Sequence, residues 1–282
     1  MEPTPRMATQ HTPSRLGGFV RRWLGHRELI TQMTKREIVG RYRGSFAGVF
    51  WSLLTPVFML LVYTFVFSVV FKARWGTQGG EEAKGMFAVV LFSGMIVHAF
   101  FSEVITRAPM QIVGHSNFVK KVVFPLEILP VVCVISALFN MVISLAVLIV
   151  AIFILAPAVH WTMLYFPLVI WPFVIFALGC AWILASLGVF VRDIGQVTAM
   201  LSMVLMFLSP IFYPVTAVPE SFQFWMQLNP LTFIVEEVRK VMIWGGSPDW
   251  AGWTIYMAAA HAFALVAYFW FQKTKKGFAD VL

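Results

Sequence analysis

Residues 128–155 read ILPVVCVISALFNMVISLAVLIVAIFIL and contain no Asp, Glu, Lys or Arg. About 20 apolar residues cross a hydrocarbon core of roughly 30 Å as an α-helix, so this run can span a bilayer and is long enough to tilt or kink within it. A strand of a membrane barrel would be about 10 residues long and would alternate polar with apolar side chains. This run does not alternate, and it therefore predicts a helical membrane protein.

Five further runs without charged side chains accompany this one. The composition agrees with a membrane protein, because 60% of the residues are hydrophobic and only 12% are charged. Since each run is near or above the length of a spanning helix, we expect an all-α membrane protein with six transmembrane helices. The six runs are residues 50–71, 86–102, 128–155, 163–191, 197–218 and 251–271.

The 21 Lys and Arg residues are distributed unequally between the two ends of these runs. Most of them precede the first run, follow the second or fourth run, or end the chain. Positive residues are retained in the cytoplasm, so both termini are expected on the cytoplasmic side of the inner membrane. The net charge of +8 is then a signal of topology and not of nucleic-acid binding, because no soluble domain carries a basic stripe.

The segment before the first run divides into a polar leader and an amphipathic stretch. Residues 1–15 are rich in Pro, Thr and Arg, a composition typical of disorder. Residues 16–49 predict an amphipathic helix in the membrane interface, because apolar side chains recur at helical spacing among arginines. Packing on a soluble partner is the alternative, and both hold if that partner docks beneath the membrane. The apolar positions are Leu16, Phe19, Val20, Trp23, Leu24, Leu29, Ile30, Met33 and Ile38.

The segment between the fifth and sixth runs is too apolar for a solvated loop, and its pieces are too short to span. Residues 221–228 and 232–244 are amphipathic, and Asn229 before Pro230 is typical of a turn, because a residue before proline avoids helical angles. We expect two half-helices that re-enter the outer leaflet. Their charges are expected to pair with one another, with a direct role in substrate handling as the alternative. These charges are Glu236, Glu237, Arg239 and Lys240.

Ionisable residues within the runs are few and form no catalytic pattern. His98 and His261 lie well inside apolar runs, where hydrogen-bonded packing is the simpler interpretation. Cys133 and Cys180 also lie mid-run and indicate neither a disulfide framework nor a metal site. The sequence contains no G-x-x-x-x-G-K-[ST] phosphate loop, so no cofactor is expected on this chain, and ATP with Mg²⁺ would bind to another subunit.

The stretch Lys35 to Pro56, KREIVGRYRGSFAGVFWSLLTP, resembles the start of the first span in ABC-2-type permeases that export polysaccharides. Their pattern is approximately R-[DE]-I-x-x-R-Y-R-x-S-x-L-G-x-x-W-x-x-x-x-P, and Ala47 stands where Leu is common. Three later segments resemble the same family in the same order, namely NFVKKVVFP (117–125), LNP (228–230) and FAD (278–280). The RYRGS form and the aromatic-rich spans are most similar to O-antigen and teichoic-acid exporters, with capsule exporters somewhat more distant.

The resemblance implies a half-transporter in which residues 50–271 form the six-helix transmembrane domain and residues 272–282 a cytoplasmic tail. Two copies would form a homodimer, and two copies of a separate ATPase would bind below. The cargo would be a polysaccharide on a lipid carrier of the undecaprenyl pyrophosphate type, and the chain itself would not be an enzyme. An exporter of a small hydrophobic drug or lipid is the alternative. A membrane-embedded enzyme would need a cluster of acids or histidines that the sequence does not offer.

Two groups of residues are the candidate functional residues. The resemblance implies that short cytoplasmic helices at residues 109–121 transmit nucleotide-driven closure. Gly114, Ser116 and Asn117 fit a turn-rich connection there, and an ordinary loop is the alternative. At the cytoplasmic start of the first span, Arg offers a planar fork of donors for phosphate oxygens, and aromatic rings offer faces for a sugar. Anchoring of these arginines to lipid headgroups is the alternative. The substrate residues would be Arg41, Tyr42, Arg43 and Trp51, and the ATPase-coupling residues would be Ser116, Asn117, Phe118, Lys120, Lys121, Arg192 and Asp193.

Overall fold

The structure is a computed structural model that describes residues 25–71, 83–120, 124–156 and 158–282. The leader, the apolar positions Leu16 to Leu24 of the predicted interface helix, and Lys121 lie outside these ranges. Within them, all regular structure is helical, as predicted. The α-helices are α1 (Arg27–Arg41), α2 (Trp51–Tyr63), α3 (Ala83–Arg107), α4 (Met110–Val113), α5 (Ser116–Lys120), α6 (Ile128–Leu155), α7 (Phe166–Phe190), α8 (Ile194–Leu208), α9 (Glu220–Gln227), α10 (Pro230–Met242), α11 (Trp250–Thr274) and α12 (Phe278–Val281).

Five helical segments in the described ranges are long and apolar enough to cross a membrane. They coincide with the first four predicted runs and the last one, which confirms a multi-pass membrane protein. Each run lacks charged side chains over the length that a bilayer requires. The segments are Gly48–Phe67, Met86–Arg107, Ile128–Leu155, Trp161–Phe190 and Trp250–Val281.

The predicted fifth run, residues 197–218, does not form one spanning helix, and its predicted extent is wrong. α8 has 15 residues, or about 22 Å at 1.5 Å per residue, which is less than the thickness of the apolar core. Ser209, which follows α8, has extended backbone angles of φ −101° and ψ 152°. The reason is Pro210, because a residue before proline is disfavoured in the helical region.

α3 lies at the centre of the described bundle, packed against α6, α8 and α10. α7 runs along α11 in the most extensive helix pair. Gly179 allows this close approach, since a Cβ atom there would lie 2.7 Å from the ring of Phe263. Large apolar side chains of α2 and α8 remain exposed, as expected for helices that face lipid or another subunit.

Two helices connected by a turn occupy the segment before α11, as predicted. α9 ends at Gln227, and α10 begins at Pro230 after the turn at Asn229. The Asn229 side-chain oxygen accepts a hydrogen bond from the backbone N–H of Leu231 at 3.0 Å, which caps the start of α10. α10 packs against α3 and α7, so this short helix belongs to the core of the described bundle.

The C-terminal residues pack against the bundle. The Phe278 side chain is fully buried and contacts the rings of Phe190 and Phe271, with ring centroids 5.8 Å and 5.6 Å away. Lys120 of α5 donates a hydrogen bond to the carbonyl oxygen of Leu282. These contacts hold α12 beside α5 and α7.

Candidate functional site

The segment between α1 and α2 forms a tight turn that carries two of the predicted substrate residues, and a third begins α2. The backbone N–H of Ser45 donates to the carbonyl oxygen of Tyr42 at 3.1 Å. Gly44 and Gly48 have φ values of 85° and 53°, a left-handed conformation that glycine adopts without steric cost. The turn presents an exposed Arg43 and a half-buried Tyr42, and an exposed Trp51 is the first residue of α2.

Arg41 differs from Tyr42, Arg43 and Trp51 because its side chain contacts α3 and α6. Its Nη2 atom lies 2.6 Å from the Glu103 carboxylate of α3 and donates to the Ser136 hydroxyl of α6 at 3.1 Å. Arg43 forms no ion pair with any residue in the described ranges. The sequence placed the two arginines in one set, whereas the structure pairs Arg41 with α3 and leaves Arg43 without an ion pair in the described ranges.

Arg41 belongs to a cluster of four charges, which we call the charged quartet: Glu37, Arg41, Glu103 and Arg107. Arg107 pairs with Glu37 and lies 3.0 Å from Glu103. The amide of Asn140 donates to the other oxygen of Glu103 at 2.8 Å. The four charged side chains are between 17% and 30% exposed, so water screens these pairs only in part.

Sequence reasoning missed three members of the charged quartet, although a signal was present. Glu37 and Arg41 are four residues apart on α1, and Glu103 and Arg107 are four residues apart on α3. Residues at this spacing lie on one face of a helix. Each helix therefore presents one acid and one base on a single face, which is the pattern that two complementary helices require.

The predicted ATPase-coupling connection consists of two short helices, α4 and α5, joined at Gly114 and His115. The ring of Phe118 stacks on that of Phe124 with centroids 4.6 Å apart. Asn117 and Lys120 are exposed. Gly114 lies in the turn as expected, whereas Ser116 and Asn117, assigned from sequence to the same turn-rich connection, begin α5.

A cleft of about 800 Å³ separates α1 from α5. Its walls include Gln32, Met33 and Arg36 of α1 and Asn117 and Phe118 of α5. The amphipathic helix and the predicted coupling helix therefore bound one concave surface.

Arg192 and Asp193 are exposed in the turn between α7 and α8. The carbonyl oxygen of Asp193 accepts the N–H of Gln196 at 3.0 Å, at the start of α8. Nearby, Gly188 touches the connection between α3 and α4, since a Cβ atom there would lie 2.0 Å from the Pro109 carbonyl oxygen. This contact puts the Arg192 turn on the same side of the bundle as α4.

Arg239 occupies the other side of the described bundle and is 1% exposed. Its guanidinium donates to the carbonyl oxygens of Val90 at 3.2 Å, Ile211 at 2.9 Å and Pro210. It also lies 3.3 Å from Glu236, so the predicted pairing of these charges is confirmed. Lys240 lies 3.3 Å from Glu237, so all four charges of this segment pair with one another.

The C-terminal end of α8 is completed by side chains of later segments. Asn229 donates to the carbonyl oxygen of Leu208 at 3.2 Å and to the Ser209 hydroxyl at 2.9 Å. Asn229 thereby pairs a carbonyl that the helix end leaves unpaired, and Arg239 pairs those of Pro210 and Ile211 just beyond it. No sequence pattern indicates these bonds, because their acceptors are mainly backbone atoms far away in the chain.

Both histidines inside the apolar runs form hydrogen bonds, as expected, but only His98 is buried, whereas His261 is exposed and bonds within its own helix. Nε2 of His98 lies 3.0 Å from the carbonyl oxygen of Ser202, and because a carbonyl only accepts, this nitrogen carries the proton. Nδ1 of His261 lies 2.9 Å from the carbonyl oxygen of Met257. The first contact connects α3 with α8.

Comparison with known proteins agrees with this architecture. Residues 28–243 match the family described as ABC-2 type transporter. The chain is 27% identical over 233 residues to the O-antigen export system permease protein RfbA of Myxococcus xanthus, which covers 82% of this chain and 86% of that protein. It is 24% identical over 257 residues to a protein of the same name from Klebsiella pneumoniae, with coverage of 90% and 95%. Because the family match covers most of the sequence, this chain belongs to the ABC-2 type transporter family.

Proposed function

We propose that this chain is the transmembrane subunit of an ABC exporter that moves lipid-linked O-antigen from the cytoplasm across the inner membrane. The observation that carries the proposal is similarity along nearly the full length to two permeases named for O-antigen export. The five apolar helices and the ABC-2 family match support a permease that is not itself an ATPase. Export of a small drug or lipid is not favoured, because these relatives carry a different cargo.

A separate ATPase subunit, which binds ATP and Mg²⁺, supplies the energy in this proposal. The proposed contact surface is the cleft between α1 and α5 together with Ser116, Asn117, Phe118 and Lys120 of α5. Lys121, which lies outside the described ranges, is assigned to this surface from the sequence, as are Arg192 and Asp193. The assembly contains two permeases and two ATPases. The exposed apolar faces of α2 and α8 support contact with a second copy of the chain, because large exposed apolar patches mark interaction sites.

In the proposed topology both termini are cytoplasmic, and α8 completes a sixth crossing together with the connection to α9. α9 and α10 re-enter the outer leaflet. Irregular backbone is tolerated at membrane depth only where it is buried in protein. The bonds from Arg239 and Asn229 to the end of α8 support this arrangement, because they satisfy backbone carbonyls there without water.

At the cytoplasmic end of the first span, Arg43 receives the phosphate of the lipid carrier, and Tyr42 or Trp51 offers a ring face to the first sugar. Two observations support this assignment: Arg43 is exposed, and it forms no ion pair within the described ranges. Arg41 does not itself contact the carrier in this proposal and instead holds the turn in place, because its guanidinium is paired with Glu103.

Deletion of the gene in its own host tests the proposal. Long-chain polysaccharide should disappear from the cell surface and accumulate inside as lipid-linked material, and the intact gene should restore export. The matched control is the intact gene with an ATPase subunit whose phosphate-loop lysine is replaced, which should not restore it. Unchanged surface polysaccharide in the deletion strain, or ATP hydrolysis by the purified chain alone, would contradict the proposal.

A further inference from the structure

α1 is connected to its two neighbouring helices in different ways. It packs along α6, whereas it reaches α3 through the charged quartet. Arg41 lies 2.6 Å from Glu103, and Glu37 pairs with Arg107. The two α3 residues also pair with each other at 3.0 Å. The quartet is therefore a chain of ion pairs that joins one face of α1 to one face of α3.

The quartet stands between the two segments to which transport roles are assigned. On the α3 side, backbone hydrogen bonds connect the end of α3 with α4. The N–H of Ala108 donates to the carbonyl oxygen of Val104 at 2.9 Å, and the N–H of Gln111 donates to the carbonyl oxygen of Ala108 at 3.1 Å. On the α1 side, Arg41 is the last helical residue, and Tyr42 and Arg43 follow it directly. A displacement of α4 therefore has a short path to the turn that carries Arg43.

We propose that the charged quartet is the mechanical link between ATPase contact and substrate entrance. In this inference, which rests on the proposed function, α3 moves with α4, and the two ion pairs make α1 and its terminal turn follow. Glu37, Arg41, Glu103 and Arg107 are positioning residues: they touch one another and set the place of Arg43. Ion pairs suit this role because partly buried charges tolerate small rotations yet resist separation.

A purely static role makes a different prediction. If the quartet only stabilises the fold, its loss lowers the amount of assembled complex, and each complex that remains exports normally. If it transmits movement, complexes assemble and hydrolyse ATP, but hydrolysis no longer drives export. Export and hydrolysis must therefore be measured per assembled complex of permease and ATPase.

The test uses two variants. The first is Glu103→Gln, and the second is an inverted quartet that combines Glu37→Arg, Arg41→Glu, Glu103→Arg and Arg107→Glu. Glu103→Gln keeps the side-chain shape and removes the charge that two arginines share. The inverted quartet restores every ion pair with opposite sign and leaves the net charge unchanged. Its neighbours adapt, because the Ser136 hydroxyl can donate to a carboxylate and the Asn140 amide oxygen can accept from a guanidinium. Arg27→Lys, at the far end of α1, is the matched control.

We expect Glu103→Gln to lower export per complex about tenfold while ATP hydrolysis stays within about twofold, a coupling loss typical of linked sites. The inverted quartet should recover most of the export. Normal export by Glu103→Gln overturns the inference, and so does failure of that variant to assemble. The inference is also overturned if the inverted quartet exports no better than Glu103→Gln. If the wild-type complex moves a cargo other than a lipid-linked glycan, the proposed function fails, and the same comparison with that cargo still decides the linkage.

Discussion

The Nη2 atom of Arg239 lies 2.9 Å from the carbonyl oxygen of Ile211, a residue 28 positions earlier in the chain. The same guanidinium reaches Pro210 beside it and Val90 of α3. Arginine is suited to this position because its fixed fork offers five donors. One side chain therefore holds together the end of α8, the central helix α3 and α10.

Replacing Arg239 is expected to destabilise the protein strongly. Arg239→Met removes the donors to Pro210 and Ile211 and leaves their carbonyl groups buried and unpaired, at about 1–3 kcal/mol for each. Arg239→Lys should be intermediate, because an ammonium keeps the charge but cannot span three separated acceptors. The measurement is the temperature at which the detergent-solubilised protein loses its monodisperse elution peak. Lys240→Met is the matched control, since the Lys240 side chain is 40% exposed; equal melting of control and Arg239 variants would show that these bonds contribute little.

A methyl group at Gly188 is expected to disturb the packing of α7 against the connection between α3 and α4. The Cβ atom of Gly188→Ala would lie 2.0 Å from the Pro109 carbonyl oxygen, which is backbone and cannot rotate away. Overpacking of this kind costs about 1–3 kcal/mol. Gly195→Ala, with no atom within 4 Å of its Cβ, is the control, and both variants are compared by thermal stability. If Gly188→Ala is as stable as Gly195→Ala, the contact of α7 with the α3–α4 connection is looser than described.

The fold was predictable wherever an uncharged run had no strong breaker near its middle. Ile128–Leu155 is one such run, and its helix has the predicted bounds. The prediction failed at residues 197–218 because hydropathy records only transfer into lipid and ignores the backbone angles that Pro210 imposes on Ser209. The proline was visible in the sequence, and giving it more weight would have ended the helix near Leu208.

The sequence pointed to candidate residues but not to the side chains that contact them. The resemblance drew attention to Arg41, Arg43 and the connection to α5, and all of these lie at helix ends. The division of labour between Arg41 and Arg43 depends on which side of α1 faces α3, and sequence spacing alone does not reveal that Glu103 is opposite Arg41. Bonds of Arg239 to backbone carbonyls are harder still to predict, because every residue carries such an acceptor.

Charge reversal at Lys120 is expected to weaken association with the ATPase. Lys120 is exposed at the end of α5, next to the cleft, and electrostatic complementarity at such a rim mainly sets the association rate. Lys120→Glu should lower both the ATPase that copurifies with the permease and the export of polysaccharide. Lys120→Gln, which keeps a donor for the Leu282 carbonyl oxygen, separates the loss of charge from the loss of that contact. Lys276→Glu, an exposed lysine beyond α11, is the matched control, and equal copurification of all variants would exclude Lys120 from the contact.

Arg43 separates phosphate recognition from membrane anchoring. A lipid headgroup anchor needs only positive charge near the surface, worth about 1 kcal/mol, and tolerates lysine. Two-point recognition of a phosphate needs the guanidinium fork, and a lost charge-assisted hydrogen bond of about 1.5 kcal/mol corresponds to roughly a tenfold effect. Arg43→Lys should therefore insert and assemble normally while export per complex falls about tenfold, and Tyr42→Ala should also lower export without changing assembly. Protein level in the membrane, copurified ATPase and surface polysaccharide are measured together, with Arg27→Lys as the control. If Arg43→Lys exports normally and Arg43→Ala loses export only because it fails to insert, the arginine is a membrane anchor. The substrate entrance would then lie elsewhere.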